Sequence, residues 1–201
     1  MKQIILIGAS GHGKVVADIA KLNGYNKIIF LDDNDKVEDC SGYPVAGKVC
    51  EYINYDCDFF VSIGNAQIRE TLMRQLSQAN KNIPVLIHPN AVIAENTKIG
   101  YGTVVMAGAV INPDTVIGDG CIINTCSSVD HDCVVSDYAH IAVGAHLCGA
   151  VRIGQGSWIG AGVTVSNNLS ITDMCFIGAG AVVVKNIEEQ GKYVGVPAHR
   201  I

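Results

Sequence analysis

Within the stretch Asn124 to Cys133, His131 stands directly before Asp132. An imidazole beside a carboxylate makes an oriented general base, because its ordinary pKa of about 6.5 suits proton removal near neutrality. A histidine on a surface corner is more often an ordinary solvated residue, so the pair gains weight only from what the chain sets against it.

The spacing of the surrounding residues supplies that neighbour. Every sixth residue from Ile87 through Val183 is Ile, Val or Leu. Four positions after each, small or modest side chains recur, as at Ala91, Thr97, Ala109, Cys121 and Ala145. A step of six fits neither the helical period nor strand alternation. A parallel β-helix accounts for it: three six-residue sides close one triangular coil, the branched residue points inward, and a small one fits the corner. Successive β-hairpins would require turn signals at intervals of about 8 to 12 residues and would not keep an invariant step. Residues one coil apart then stack about 4.8 Å from each other. One coil beyond His131 is Gly149. Its backbone N–H lacks a side chain to obstruct it and is placed to stabilise an oxyanion. His131, Asp132 and Gly149 are the candidate catalytic group.

Other chemistry is less well supported. His131, His140 and His146 fall on different sides of the prism with no acidic ligand to complete a set, so no metal is expected. Cys148 has neither a base nor a charge that would activate its thiol, which favours direct attack over a covalent intermediate. His140 lies in an outward column of Leu86, Val104, Ile122, His140, Trp158 and Phe176. For His140 two readings stand: support of the site, and packing at an interface. The column is too apolar to face water. It predicts a subunit contact, and a homotrimer is the simplest closed assembly of such prisms.

The N-terminal part follows different rules. Ile4–Ile7 reads as a buried strand, Gly8-Ala9-Ser10-Gly11-His12-Gly13-Lys14 as a tight turn, Val15–Leu22 as a helix and Lys27–Leu31 as a second strand ending at Asp32 and Asp33. A further strand over 58–63 ends at Gly64-Asn65 and precedes a helix from Ala66 to about Ala79 that contains Arg69. The pattern predicts a small Rossmann-like α/β domain over residues 1–84 and an all-β domain over 85–201. The glycines read G-x-x-G-x-G, which is neither the dinucleotide fingerprint nor a P-loop. Their place between strand and helix nevertheless favours a phosphate or pyrophosphate, with Asp32 at the next strand end available to a ribose or base.

Composition narrows the classes. The 201 residues are 49% hydrophobic and 16% charged, with a net charge of −5 and no Lys/Arg cluster. That argues against nucleic acid as a partner and leaves any anionic ligand to local geometry. No apolar run is long enough for membrane insertion and no signal peptide is present, so a cytoplasmic location is expected, with the eight cysteines reduced and packed as small apolar groups.

Taken in order, the glycine turn, Leu31-Asp32-Asp33, Ile63-Gly64-Asn65, the hexads with Ser128-Val129-Asp130-His131-Asp132-Cys133 and the terminal Val194-Gly195-Val196-Pro197-Ala198 carry a resemblance. Over nearly the whole chain they resemble the sialic-acid O-acetyltransferase-like sugar O/N-acyltransferase family, and within it the bacterial nucleotide-activated amino-sugar N-acetyltransferases. The resemblance, not the period, implies a left-handed coil. It implies acetyl-CoA as cosubstrate and a nucleotide-linked 4-amino-4,6-dideoxy sugar, UDP-linked by similarity in the first domain, as acceptor.

By the same resemblance His131 is the base, Asp132 orients it, and the Gly149 N–H faces the thioester oxygen. Bacillosamine-pathway members carry Glu where this chain has the shorter Asp132. His140 would lie near the acetyl group, and the cofactor would run along Gly160, Ala161 and Gly178 towards Pro197 and Ala198. Gly8, Ser10, Gly11, His12 and Gly13 would hold the diphosphate, Asp32 and Asp33 the nucleoside, and Gly64, Asn65 and Arg69 would border the sugar cleft. A GDP-perosamine N-acetyltransferase, a sialic acid O-acetyltransferase and a non-catalytic nucleotide-sugar-binding trimer remain as alternatives.

Overall fold

The computed structural model describes residues 2–201, which form two compact units, one ending at Pro89 and one spanning Asn90–Ile201. In the first, β1 (Gln3–Ile7), α1 (Gly11–Leu22), β2 (Lys27–Leu31), a small hairpin of β3 (Asp39–Cys40) and β4 (Tyr43–Pro44), β5 (Asp58–Val61) and α2 (Ala66–Gln78) follow in order. The parallel sheet runs β2-β1-β5. As its middle strand, β1 is covered on both faces, which is why Ile4, Ile5, Leu6 and Ile7 form an unbroken apolar run with no exposed surface. Val16, Ala17, Ile19 and Ala20 give α1 one buried face at helical spacing.

Two boundaries and two short elements depart from expectation. Helix α1 begins at Gly11 rather than Val15, so the glycine segment is itself the first helical turn, entered from an extended Ser10 with φ −123° and ψ −172°. Gly13 tolerates no side chain there, because a Cβ would collide with the Gly8 carbonyl. Strand β5 stops at Val61, and the next residue, Ser62, turns its hydroxyl to the carbonyls of Ile7 and Gly8 at 3.0 and 2.8 Å. The hairpin and a 3-10 turn over Val49–Asn54 carry no periodic signal and were not expected.

The second unit is a parallel β-helix of two-residue strands. One face stacks Val92–Ile93, Val110–Ile111, Ser128–Val129, His146–Leu147, Thr164–Val165 and Val182–Val183. A second runs from Lys98–Ile99 to Ser170–Ile171, and a third from Val104–Val105 to Phe176–Ile177, continuing into Lys192–Val194. From Val92 to Val183 every pairing joins residues 18 apart, as the step of six requires, whereas the last turn is shorter and sets Phe176 against Lys192 and Ile171 against Ile187. The inward residues from Val105 onward are buried, while Ile93 and Ile99 in the first coil remain half-exposed.

The corners explain the cysteines better than apolar packing does. Thr103 and Thr115 donate their hydroxyls to the carbonyls of Gly118 and Asp130, each at 2.8 Å. Cys121 and Cys133 do the same with their thiols towards Ser136 and Cys148, each at 3.2 Å. Burial pushes the Cys133 thiol up to about 11, which keeps its proton available for that bond. All eight cysteines are free. Another corner needs left-handed backbone: Asn96, Asp114, Asp132, Ala150 and Asn168 have φ of 63°, 59°, 59°, 58° and 61°. Asn and Asp adopt this conformation most readily after glycine, which suits the residue following His131.

The outward apolar column differs from the expected subunit contact. Leu86, Val104 and Ile122 are at most 1% exposed within the single chain, and only Trp158 and Phe176 remain open. Among the described residues no helix is long and apolar enough to cross a membrane.

Tight coil stacking makes one stability prediction. A Cβ at Gly118 would meet Asp137 Oδ1 and lie 2.7 Å from the Asp137 backbone nitrogen. Gly118→Ala is expected to cost about 1–3 kcal/mol, read as a lower urea midpoint with an unchanged slope.

Candidate active site

The corner between the first and second faces carries the group predicted from spacing. His131 Nδ1 lies 2.7 Å from Asp132 Oδ2. With the Nδ1 proton donated to that carboxylate, the lone pair sits on Nε2. Nε2 is directed at Gly149: a Cβ built there would stand 2.6 Å from Nε2 and 2.7 Å from Cε1. Glycine is therefore the residue that lets the ring lie against the next coil. The flanking amides are committed to the ladder, Cys148 N–H to Val165 O at 3.0 Å and Ala150 N–H to His131 O at 2.9 Å, and the Gly149 amide stands between them. His131 is exposed, and its pKa is raised above the ordinary histidine value, first by the Asp132 hydrogen bond and then by the Asp130 charge.

His140 lies apart from this group on the third face. It is 7% exposed, its Nε2 is 3.0 Å from Asn124 Nδ2, and its ring sits 4.1 Å from that of Trp158. Asn124 was missed by sequence reasoning. The signal was available in the register, since the positions stacked after it are Ala142, Gly160 and Gly178 and only Asn124 brings an amide to that row. Gly160 and Gly178 have a packing reason of their own: added Cβ atoms would fall 2.5 Å from the Ile177 carbonyl oxygen and 2.8 Å from Val194 Cγ1. Ala161 is exposed. Pro197 and Ala198 line a cavity of about 240 Å³ with Val184, Lys185 and Tyr193, a lysine-bearing cleft that suits an anionic end of a cofactor.

In the first unit the turn residues Gly8, Ser10, Gly11, His12 and Gly13 come together at the start of α1, where first-turn amides have no helical acceptor. Gly8 has φ +108°, and Gly11 is open around its Cβ position. Asp32 does more than face a ligand. Its Oδ2 accepts from Ala9 N–H at 2.7 Å and its Oδ1 from Asn34 N–H at 2.8 Å, so both oxygens brace the turn. Asp33 Oδ1 accepts from Val49 N–H at 3.0 Å.

Asn65 caps α2 by accepting from Ile68 N–H at 3.0 Å. Arg69, 1% exposed, donates to the carbonyls of Ile63 and Gly64 at 2.8 and 2.9 Å, which ties the Gly64 turn to the helix. Burial, with the Arg69 charge second, lowers the His12 pKa to about 4, and its Nε2 is buried without a hydrogen-bond partner. A neutral imidazole with an unsatisfied nitrogen at a helix N-terminus fits a site completed by a polar ligand. Among the described residues no group of three His, Cys, Asp or Glu could hold a metal ion.

Residues 3–76 match the PglD N-terminal domain family. Over 113 residues the chain is 34% identical to UDP-N-acetylbacillosamine N-acetyltransferase of Bacillus subtilis (strain 168), a match that covers 53% of this chain and 52% of the relative. The chain thus spans about half the length of that relative. Solved structures match over almost their whole length. The acetyltransferase domain of PglB from Neisseria gonorrhoeae FA1090, in complex with acetyl coenzyme A, is 39% identical, with a TM-score of 0.97 and coverage of 100% of this chain and 99% of that one. PerB from Caulobacter crescentus, in complex with CoA and GDP-perosamine, is 32% identical, with a TM-score of 0.94 and coverage of 100% and 98%.

The crowding at Gly149 gives a direct prediction. Gly149→Ala is expected to push the His131 ring off the neighbouring coil and to lower turnover at this corner about 10²-fold. Turnover measured beside the thermal midpoint checks it, with the midpoint nearly unchanged.

Proposed function

The chain belongs to the acetyltransferase family of the left-handed hexapeptide-repeat β-helix superfamily, and from that premise we propose that it acetylates the 4-amino group of a UDP-linked 4-amino-4,6-dideoxy sugar. The observation that carries this reading is the corner itself: an imidazole with Nδ1 held by Asp132 and Nε2 laid against Gly149. Acetyl-CoA supplies an activated acyl carbon when bound. His131 Nε2 accepts the proton that the sugar amine loses as its nitrogen bonds to that carbon. The Gly149 N–H stabilises the negative charge that develops on the carbonyl oxygen. The His131 imidazolium then returns the proton to the sulfur as the carbon–sulfur bond breaks, leaving the amide and the free thiol of CoA.

His140 and Asn124 border the acyl path, and the lysine-bearing cleft by Pro197 and Ala198 takes the far end of the cofactor. The turn from Gly8 to Gly13 receives the diphosphate through its first-turn amides, and Asp32 and Asp33 shape the nucleoside side. The name of the Bacillus relative and the PglD-type first domain favour UDP. A GDP-linked sugar is the second reading, favoured by the GDP-perosamine bound to the Caulobacter protein. Thermal-shift measurements with UDP- and GDP-linked 4-amino sugars separate the two, since the true ligand raises the midpoint. The half-buried Trp158 and the exposed Phe176, Val116 and Val92 side chains support a homotrimer, and the free cysteines support a cytoplasmic location.

Two predictions follow from the base. His131→Ala is expected to lower kcat about 10²–10⁴-fold with nucleotide-sugar affinity little changed, measured by thiol release; near-normal turnover would remove His131 from its role. The base works only when neutral, and Asp132 raises its pKa, so activity is lost as pH falls through a value above 6.5. Asp132→Asn should move that acidic limb to lower pH, and an unmoved limb in the kcat/KM profile contradicts the assignment.

A further inference from the structure

Two side chains beneath His131 are left unused by this mechanism. Asn112 stands one coil before Asp130, and its Nδ2 donates to Asp130 Oδ1 at 2.7 Å. The same oxygen accepts the backbone N–H of His131 at 2.8 Å. These two donors, Asn112 first, hold the Asp130 carboxyl below the usual carboxylate range, so it is ionised throughout the working pH range. Asp130 is itself fixed from both sides, its N–H donating to Leu147 O at 3.0 Å and its carbonyl accepting from Thr115 Oγ1 at 2.8 Å. On the far side of His131, the Asp132 N–H donates to Pro113 O at 3.1 Å. The peptide entering His131 and the peptide leaving it are thus both tied to the coil that carries Asn112 and Pro113.

The fold does not ask for this pair. The same register position holds Ala94, Cys148 and Ser166 in other coils. There the main-chain ladder forms regardless, from Ala94 N–H to Ile111 O at 2.9 Å and from Ser166 N–H to Val183 O at 3.0 Å. An amide above a carboxylate occurs in that row only at the coil that bears the histidine. The interaction is charge-assisted at both donors, which makes it stronger and more directional than a neutral contact.

We propose that Asn112 and Asp130 are positioning residues that lock the main chain of His131 so that its imidazole stays against Gly149. The proposal rests on the reading of His131 as the base. Asp130 acts through the hydrogen bonds of one oxygen, and Asn112 acts through Asp130.

The test compares Asn112→Ala, Asp130→Ala and Asp130→Asn with His131→Ala in a thiol-release assay with the UDP- or GDP-linked 4-amino sugar that turns over. Both alanine variants are expected to lose kcat about 10- to 100-fold, with KM for acetyl-CoA and for the sugar nucleotide within about twofold of the parent. Asp130→Asn keeps an acceptor oxygen for both donors and is expected to recover most of that loss. Unchanged kcat in the alanine variants, a loss confined to KM, or an Asn variant as impaired as the Ala variant overturns the proposal. Crystal structures of the two alanine variants supply a readout that does not depend on activity. A His131 ring displaced from Gly149 supports the proposal, and a ring left in place overturns it. Should His131→Ala keep its turnover, the base reading fails alone, and the crystal structures still decide the role of Asn112 and Asp130.

Discussion

The structure depends on the register of one coil upon the next. Parallel main-chain hydrogen bonds join each two-residue strand to the one a full coil away, as between Val110, Ser128 and His146. Because three sides of equal length separate stacked positions from Val92 to Val183, the face and the stacking partner of each residue there follow from its number. That constraint places a histidine against a glycine from the next coil without any loop to carry either. It also gives the site its rigidity, since an imidazole mounted beside a ladder rung is held by the same bonds that hold the fold.

Upon that frame the proposed catalytic corner distributes three polar tasks among adjacent residues. Asp132 sets the tautomer and basicity of the ring, Gly149 gives the ring room and offers an amide, and Asp130 fastens the peptide that enters His131. Asp132 can do this from a left-handed corner, with φ +59°, because an aspartate tolerates that conformation. The N-terminal turn follows a related economy. Asp32 braces the Ala9 amide, Arg69 fastens the Gly64 turn, and the His12 ring is held neutral between burial and a buried guanidinium. In both places a charged side chain shapes the main chain of a candidate ligand site.

How much of this could be read in advance follows from which features repeat. The β-helix was legible because a triangular core accepts only branched aliphatic residues at one position in six, and the pairing of His131 with Gly149 followed from adding one coil to a number. The start of α1 at Gly11 was not legible, since glycines signal a turn as readily as a first helical turn and only the packing of Gly13 against Gly8 decides. Covering of Leu86, Val104 and Ile122 within the chain lies outside any periodic rule. The thiol donors at Cys121 and Cys133 look like apolar filler until the carbonyl facing each is known. Asn124, Asn112 and Asp130 lie where no repeat constrains residue type; the register stacks Asn112 on Asp130, and the coordinates add which atoms meet there and that Asn124 reaches His140.

A crystal structure of the protein with CoA and the UDP- or GDP-linked 4-amino sugar bound together tests the central claim most directly. The account predicts the sugar nitrogen within about 3 Å of His131 Nε2, with Nδ1 still on Asp132. A nitrogen held beside another side chain, with His131 turned away from it, would contradict the account.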